Sequence, residues 1–87
     1  MPCFVYIIGS DSKSRLGNFS GFRTYVGWST DLEKRLKSHN SGVGAKSTRG
    51  RQWRLLYAER FNNRSEAMSR EWHLKRDRRF RKALVEA

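Results

Sequence analysis

Residues 22–39 read FRTYVGWSTDLEKRLKSH, a β-prone run that passes directly into a helix. The first part, residues 22–28, is rich in aromatic and β-branched side chains, which is typical of a strand. The second part contains Arg35 and His39. Because residues four apart project from the same side of an α-helix, this arginine and this histidine are expected to point into one pocket.

The ends of this helix are marked by capping residues. Thr30 and Glu33 have the spacing of a capping box, and the carboxylate of Asp31 favours the positive end of the helix dipole. The helix is therefore predicted to begin at Thr30. Residues 40–42 read NSG, which is a helix stop signal because glycine readily adopts left-handed backbone angles.

Two further strands are expected, one before this stretch and one after it. Residues 4–8 form a run of aromatic and β-branched side chains that is typical of a buried strand, and residues 52–61 form the third strand. Every second residue from Trp53 to Tyr57 is expected to share one face of the sheet. Residues 10–21 have no hydrophobic period and are predicted to be the loop of a hairpin.

Two helices complete the chain. The second helix is expected to start near Asn63, because Glu66 lies three residues further on in a second capping box, and to run through Leu74. Residues 77–85 can form a short third helix. The element order β-β-α-β-α-α predicts an α+β fold, with helices packed on a small three-stranded mixed or antiparallel sheet. Residues 1–87 are expected to form one domain.

The chain is strongly basic. Its 87 residues contain 19 Lys and Arg against 8 Asp and Glu, a formal net charge of +11. Residues 46–82 hold 13 of these basic and 4 of these acidic side chains, so most of the excess lies in this part of the chain. A concentrated basic excess is best explained by a polyanionic partner, most often nucleic acid.

Several other kinds of site are not indicated. Cys3 is the single cysteine, so no internal disulfide can form, and no cluster of Cys and His has the spacing of a zinc site. Cys3 is expected to be a small buried residue of the first strand. No apolar stretch approaches about 18 residues, and the N-terminus has no secretion signal. The expected setting is cytoplasmic, without a membrane span.

Glu71 is an acidic residue at an unexpected position of the second helix. At about 100° per residue, the apolar side chains of this helix form a stripe with Glu71 near its centre. The stripe consists of Ala67, Met68, Trp72 and Leu74. Because burying an unpaired charge is costly, we expect Glu71 to be paired, protonated or bound to a cation. The structural alternative is a salt bridge to an arginine such as Arg35 or Arg64.

The other polar candidates each allow a simple structural role. His39 alone is explained as a core histidine with satisfied hydrogen bonds, and Arg35 alone as a surface cation. Tyr6 and Tyr25 are explained as core aromatic residues with bonded hydroxyl groups. Taken together with Glu71, however, they bring groups suited to phosphodiester chemistry into one small basic domain.

The spacing of these residues resembles that of the GIY-YIG nucleases. The first motif of that family, a strand ending in tyrosine, is matched by residues 4–6 (FVY), and the second motif by residues 25–27 (YVG). Arg35 follows the tyrosine of the second motif by ten positions and His39 follows it by fourteen, as the helix arginine and the histidine or tyrosine of the family do. The metal-binding glutamate of the family aligns with Glu71.

The resemblance covers nearly the whole chain. Residues 46–50 resemble the basic loop of the stand-alone bacterial members of the family. Three departures are visible. The first motif has lost its glycine and its isoleucine, although its tyrosine is present. The connection from Tyr6 to Tyr25 is longer than usual, which places an extra basic loop beside the site. Some relatives carry a tyrosine where Ser47 stands, and others a lysine at the position of Trp28.

The resemblance implies a metal-dependent endonuclease that hydrolyses phosphodiester bonds in DNA. Its catalytic residues would be those at the matched positions, namely Tyr6, Tyr25, Arg35, His39 and Glu71. Either tyrosine is the base, Arg35 stabilises the phosphate, and His39 relays a proton or contacts phosphate. Glu71 would hold a single Mg²⁺ or Mn²⁺ ion, because Mg²⁺ keeps several waters and takes its other ligands from substrate phosphate.

Further cations are expected to contact the nucleic acid. They are Lys46, Arg49, Arg51, Lys75, Arg76, Arg78 and Arg79. Each contact with a phosphate adds affinity that depends on salt but not on base sequence. Cleavage of DNA is therefore expected to be structure-selective or non-specific, with a partner protein supplying any targeting.

Two questions stay open at this point. The chain could instead be a non-catalytic basic nucleic-acid-binding module on the same fold, which explains the charge equally well. That alternative does not explain an inward glutamate or the spacing of Arg35 and His39. The substrate could be single-stranded, branched or duplex. Trp28, Trp53 and Trp72 could stack on unpaired bases, although core packing is expected for at least two of them.

Overall fold

Two long paired strands form the centre of the molecule, and the computed structural model describes residues 2–13, 19–42 and 52–86. Side chains are described for residues 2–10, 23–42 and 52–85. In chain order the elements are β1 (Cys3–Lys13), β2 (Phe19–Ser29), α1 (Leu32–Ser41), β3 (Arg54–Phe61), α2 (Arg64–Arg76) and α3 (Arg78–Glu86). This order confirms the predicted α+β fold. The expected contact residues Lys46, Arg49 and Arg51 lie outside the described residues.

The described strands form an antiparallel sheet in the order β2-β1-β3, so β1 is the central strand. β1 and β2 pair from Phe4 with Ser29 as far as Lys13 with Phe19. The prediction of a loop over residues 10–21 is therefore wrong at both ends. The polar residues there form strands because an antiparallel ladder satisfies backbone N–H and C=O groups whatever the side chains are.

Alternate residues of β1 face opposite sides of the sheet, as the geometry of a strand requires. Cys3, Val5 and Ile7 lie on the side covered by α2 and α3, in a core that includes Ala67, and Cys3 is buried as predicted. Tyr6 lies on the other side, together with the two leucines of α1. The sheet is therefore the middle layer of the fold, and Tyr6 faces α1.

A bulge in β3 changes which of its residues share a face. Tyr57 and Leu55 pair with consecutive residues of β1, so Leu56 is an extra residue between them. An inserted residue moves the side chains beyond it to the other face of the sheet. Leu55 is accordingly exposed, whereas Tyr57 packs in the core beneath α2 and α3. The single face predicted for every second residue from Trp53 to Tyr57 is wrong for this reason.

α1 begins slightly later than predicted and ends where predicted. Asp31 is its N-cap, and the Asp31 side chain accepts a hydrogen bond from the backbone N–H of Lys34 at 3.1 Å. The predicted cap at Thr30 is wrong, because Asp31 is the residue with the extended conformation of a cap (φ −143°). Gly42 is the C-cap with a left-handed φ of 85°, and its N–H donates to the carbonyl of Ser38.

The two C-terminal helices also begin at capping side chains. Asn63 accepts a hydrogen bond from the N–H of Glu66 at 2.8 Å, which confirms the predicted start of α2. Asp77 accepts a hydrogen bond from the N–H of Phe80 at 3.0 Å at the start of α3. α2 itself runs to Arg76, two residues further than predicted.

α2 buries a narrower face than predicted. Ala67 and Leu74 are fully buried, whereas Met68 is 44% and Trp72 is 52% exposed. The predicted apolar stripe is wrong for the last two, because the sheet covers only one side of the helix. Glu71 lies four residues after Ala67 and three before Leu74, so it belongs to the buried face. Its side chain is only 19% exposed, as its predicted inward position requires.

Arg81 joins α3 to α2 and β2. One terminal nitrogen of its guanidinium donates to the Thr24 hydroxyl at 3.2 Å, and the other donates to the backbone carbonyl of Lys75 at 3.0 Å. Carbonyls in the last turn of a helix have no partner within that helix, so Arg81 satisfies one that would otherwise depend on water. Arg81 is therefore partly buried, because α3 packs back across the end of α2.

Arg81→Ala should lower the free energy of unfolding by about 1–2 kcal/mol, because it removes two hydrogen bonds from a charged donor. Urea denaturation followed by far-UV circular dichroism measures this change. Arg79→Ala is the matched control, since Arg79 is an exposed arginine two residues earlier in the same helix. Equal midpoints for the two variants would contradict the joining role of Arg81.

Candidate active site

The Tyr6 side chain lies across Gly27, its pairing partner on β2. Tyr6 is 2% exposed, and a Cβ built at position 27 would come within 2.6 Å of its hydroxyl oxygen. A side chain at position 27 would therefore collide with the buried Tyr6 ring and displace its hydroxyl group from its hydrogen-bond partners. This role of Gly27 was not expected from the sequence. A glycine inside a β-prone run, next to an aromatic neighbour strand, is the signal that indicates it.

Two side chains of α1 reach the Tyr6 hydroxyl. The Nε2 atom of His39 lies 2.9 Å from it, and the Nε–H of Arg35 donates to it at 3.3 Å. The predicted convergence of Arg35 and His39 is therefore present, and it follows from their i,i+4 spacing on the helix face above β1. His39 is completely buried, more deeply than the half-buried position that an amphipathic helix face suggests.

Tyr25 completes this group on the same face of the sheet. Its ring centroid lies 4.9 Å from that of His39 and 6.4 Å from that of Tyr6. Hydrogen bonding to Tyr6, and to a smaller extent to Tyr25, raises the pKa of Arg35. We call these four residues, Tyr6, Tyr25, Arg35 and His39, the tyrosine cluster.

Glu71 lies close enough to the tyrosine cluster to act on it electrostatically. Its negative charge is one of the causes that raise the pKa of Tyr6. Among the described side chains its ion-pair partner is Lys75, whose Nζ lies 3.5 Å away. The alternative of a salt bridge to Arg35 or Arg64 is not observed, because Arg35 contacts the tyrosines and Arg64 lies over the ring of Trp28.

Burial sets the protonation states of the cluster. Burial is the largest cause of a raised pKa of Tyr6 and outweighs the opposing hydrogen bond and charge of Arg35. Burial, followed by the charge of Arg35, lowers the pKa of His39. At neutral pH the phenol is therefore protonated and the imidazole neutral. Because Arg35 can only donate, we assign the Tyr6 hydroxyl as acceptor from Arg35 and as donor to Nε2 of His39.

Glu71 is the residue beside the cluster that could hold a metal ion. Within the described part of the chain, no group of three or more His, Cys, Asp or Glu side chains could enclose one. A single partly exposed carboxylate fits a hydrated Mg²⁺ or Mn²⁺ ion, which takes most of its ligands from water and phosphate. The Lys75 side chain is 56% exposed, so it can leave the carboxylate without an unfavourable burial.

The expected nucleic-acid contacts that the structure describes lie on the C-terminal helices. Arg76, Arg78 and Arg79 are exposed. The guanidinium carbon of Arg76 lies 4.0 Å from the ring centroid of Trp72. Lys75 is linked to the candidate site through its ion pair with Glu71.

Residues 2–83 match the model of the GIY-YIG catalytic domain. The chain belongs to the GIY-YIG family. This confirms the resemblance seen in the sequence, and GIY-YIG domains are in general nuclease domains that act on nucleic acid. Within residues 2–13, 19–42 and 52–86, no helix is both long enough and apolar enough to span a membrane.

Several GIY-YIG relatives carry the name UPF0213. The chain is 52% identical over 74 residues to a UPF0213 protein of Clostridium perfringens, covering 84% of this chain and 70% of the relative. It is 48% identical over 80 residues to one of Oceanobacillus iheyensis, covering 91% and 83%. The solution NMR structure of a UPF0213 protein from Bacillus halodurans is 38% identical, with a TM-score of 0.47 and coverage of 99% of this chain and 84% of that one.

The buried His39 should make the stability of the protein depend on pH. Its pKa is lowered in the folded state relative to about 6.5 in the unfolded chain, so protonation favours unfolding. The stability that the neutral imidazole contributes is present above about pH 6.5 and is lost as the pH falls below this value. We therefore expect the free energy of unfolding to fall between about pH 7.5 and pH 5.5.

In His39→Gln this decrease should be largely abolished, because glutamine can bond to Tyr6 but does not titrate. His73→Gln is the matched control, since His73 is exposed on α2. Urea unfolding at several pH values measures the slope for each variant. A slope that persists in His39→Gln, or that disappears in His73→Gln, would contradict the assignment.

Proposed function

We propose that the protein is a metal-dependent endonuclease that hydrolyses phosphodiester bonds in DNA, with the tyrosine cluster and Glu71 as its active site. The observation that carries this proposal is the position of the Tyr6 hydroxyl, bonded to Arg35 and His39 of α1. The negative charge of Glu71 acts on the same group from α2. Membership of a nuclease family supports the reaction class.

The proposed proton path runs through the Tyr6 hydroxyl. Hydrolysis needs a water that loses a proton as it attacks phosphorus. The oxygen of Tyr6 accepts this proton while its own proton passes to Nε2 of His39, which is 2.9 Å away. Because burial keeps the imidazole of His39 neutral, its Nε2 atom can accept this proton. This path favours Tyr6 over Tyr25 as the base, since its hydroxyl contacts both Arg35 and His39.

Arg35 is proposed to stabilise the charge that develops on the phosphate. Besides bonding to the Tyr6 hydroxyl, it lines a surface depression of about 220 Å³ beside the N-terminal half of α1. Arg35 therefore borders both the buried tyrosines and an open depression that a phosphate group could enter. Its planar donors suit phosphate oxygens, and their interaction strengthens as negative charge accumulates in the transition state.

Glu71 is proposed to hold one divalent cation, with Mg²⁺ or Mn²⁺ as the ion of suitable chemistry. When bound, such an ion neutralises charge on the phosphate and polarises water. Glu71 itself would exchange its ion pair with Lys75 for the cation. Lys75 is then released beside the site, where its ammonium group can contact a phosphate of the bound strand.

Contacts with the nucleic-acid backbone are proposed to come from the basic side chains around the site. Those described are Lys75, Arg76, Arg78 and Arg79, and those outside the described residues are Lys46, Arg49 and Arg51. Such contacts position a strand but do not distinguish bases. We therefore expect cleavage that is structure-selective or non-specific, with any targeting supplied by a partner protein.

Glu71→Gln should abolish metal-dependent cleavage, with a decrease in rate of at least about 100-fold, because the cation loses its protein ligand. DNA affinity should be unchanged or higher, since one negative charge is removed. Cleavage of single-stranded, branched and duplex DNA with Mg²⁺ or Mn²⁺ measures the rate, and filter binding without metal measures affinity. Glu66→Gln, an exposed change in the first turn of α2, is the matched control.

Tight binding without cleavage of any of these substrates by the wild-type protein would contradict the proposal. It would favour the alternative, a non-catalytic basic nucleic-acid-binding module on the same fold. Retention of cleavage in Glu71→Gln would leave the nuclease in place but remove Glu71 as the metal ligand.

A further inference from the structure

Trp72 is a large aromatic side chain that the core does not use. Of the three tryptophans, Trp53 is 6% exposed in the core and Trp28 packs against the core beneath the guanidinium of Arg64. Trp72 is 52% exposed on α2. Trp72 is not alone on this surface, since Met68 one turn earlier is 44% exposed, and together they leave an apolar area on α2 that a ligand could cover.

The surroundings of Trp72 indicate the chemistry of that ligand. The guanidinium of Arg76 lies over its ring, with the carbon 4.0 Å from the ring centroid, and Arg78 and Arg79 are exposed in the next helix. An aromatic ring that carries a guanidinium, with further exposed arginines in the next helix, complements a flat group that carries phosphate. Successive bases of a single strand stack on aromatic side chains in this way, with arginine adding a cation–π contribution.

The position of Trp72 relates it to the proposed active site. Trp72 directly follows Glu71, and Arg76 directly follows Lys75, so two i,i+4 pairs form adjacent rows on α2. Neighbouring residues of a helix are about 100° apart. Because Glu71 lies on the partly buried face of α2, the row formed by Trp72 and Arg76 lies beside the row formed by Glu71 and Lys75, on its solvent side. A base on Trp72 would therefore lie beside the phosphate that Glu71 and Lys75 contact.

We propose that Trp72 and Arg76 form a stacking platform for an unpaired base, and that the substrate is single-stranded DNA or an unpaired segment next to the cleaved bond. This inference rests on the proposed function and names its substrate class. A base inside a duplex has both faces occupied by its neighbours in the stack, whereas an unpaired base has a face to offer. The platform thus discriminates between strands by base accessibility rather than by sequence.

Binding without metal tests the platform independently of cleavage. The probes are a fluorescein-labelled oligothymidine and a labelled duplex of the same length, measured by fluorescence anisotropy with the full chain. Trp72→Leu keeps an apolar side chain but removes the stacking surface, and we expect it to bind the oligothymidine about 10- to 100-fold more weakly. Duplex affinity should change less than about twofold, because backbone contacts remain.

Two further variants separate stacking from general apolar contact. Trp72→Phe keeps an aromatic face and should retain most of the affinity for the oligothymidine. Met68→Ala removes the exposed apolar neighbour one turn earlier and should change neither affinity. Because Trp72 is half-exposed, these variants are expected to fold, and urea unfolding confirms it for each.

The platform proposal is contradicted if Trp72→Leu binds both probes with wild-type affinity, or if it loses affinity for both probes equally. It is also contradicted if Met68→Ala loses as much affinity for the oligothymidine as Trp72→Leu does. The last result would indicate a surface for an apolar partner such as a protein. Cleavage by the wild type is scored separately with Mg²⁺ or Mn²⁺. If the wild type cleaves DNA but Trp72→Leu binds both probes as the wild type does, the stacking platform is contradicted and the nuclease proposal stands. If Trp72→Leu selectively weakens binding of the oligothymidine but the wild type cleaves no DNA, the nuclease proposal is contradicted and the platform stands.

Discussion

A phenol hydroxyl buried in the middle of a sheet needs both space and hydrogen-bond partners, and the candidate site follows from how Tyr6 obtains them. The space comes from Gly27, where a Cβ would lie within 2.6 Å of the hydroxyl oxygen. The partners come from α1, whose Arg35 and His39 reach the hydroxyl together. Because a shift of one residue between β1 and β2 would replace Gly27 with a larger side chain facing Tyr6, the register of the hairpin and the docking of α1 are coupled to the site.

Burial of the Tyr6 hydroxyl requires space and hydrogen-bond partners, and it also sets the protonation states that proton transfer needs. Burial raises the pKa of Tyr6 and lowers the pKa of His39, so neither group is charged at neutral pH. Among the side chains that the structure describes, Arg35 is the cation in contact with the hydroxyl; it donates to the oxygen and does not compete for its proton. Glu71 reinforces the protonated state of Tyr6 from α2. Before substrate binds, the fold thus already sets the protonation states of Tyr6 and His39, the two residues proposed to transfer the proton.

The features that the sequence predicts well are those set by local periodicity. Arg35 and His39 share a helix face because they are four residues apart, and Gly42 ends α1 because of its backbone freedom. Features set by pairing between distant segments could not be predicted. The bulge at Leu56 depends on the register of β3 against β1, and the exposure of Trp72 depends on which side of α2 meets the sheet. The same reason explains Arg81 and the close approach at Gly27, since each involves a neighbour far away in the sequence.

The central claim is that the hydroxyl group of Tyr6, and not only its ring, is required for the chemistry. Tyr6→Phe keeps the ring over Gly27 and removes the oxygen that contacts Arg35 and His39. Tyr57→Phe is the matched control, because Tyr57 lies on the opposite face of the sheet. The most direct measurement is the single-turnover rate of DNA cleavage by both variants and the wild type, with DNA affinity and unfolding measured alongside. We predict that Tyr6→Phe lowers the rate at least about 100-fold with affinity retained, whereas Tyr57→Phe does not lower it. A rate for folded Tyr6→Phe close to that of the wild type would contradict the account.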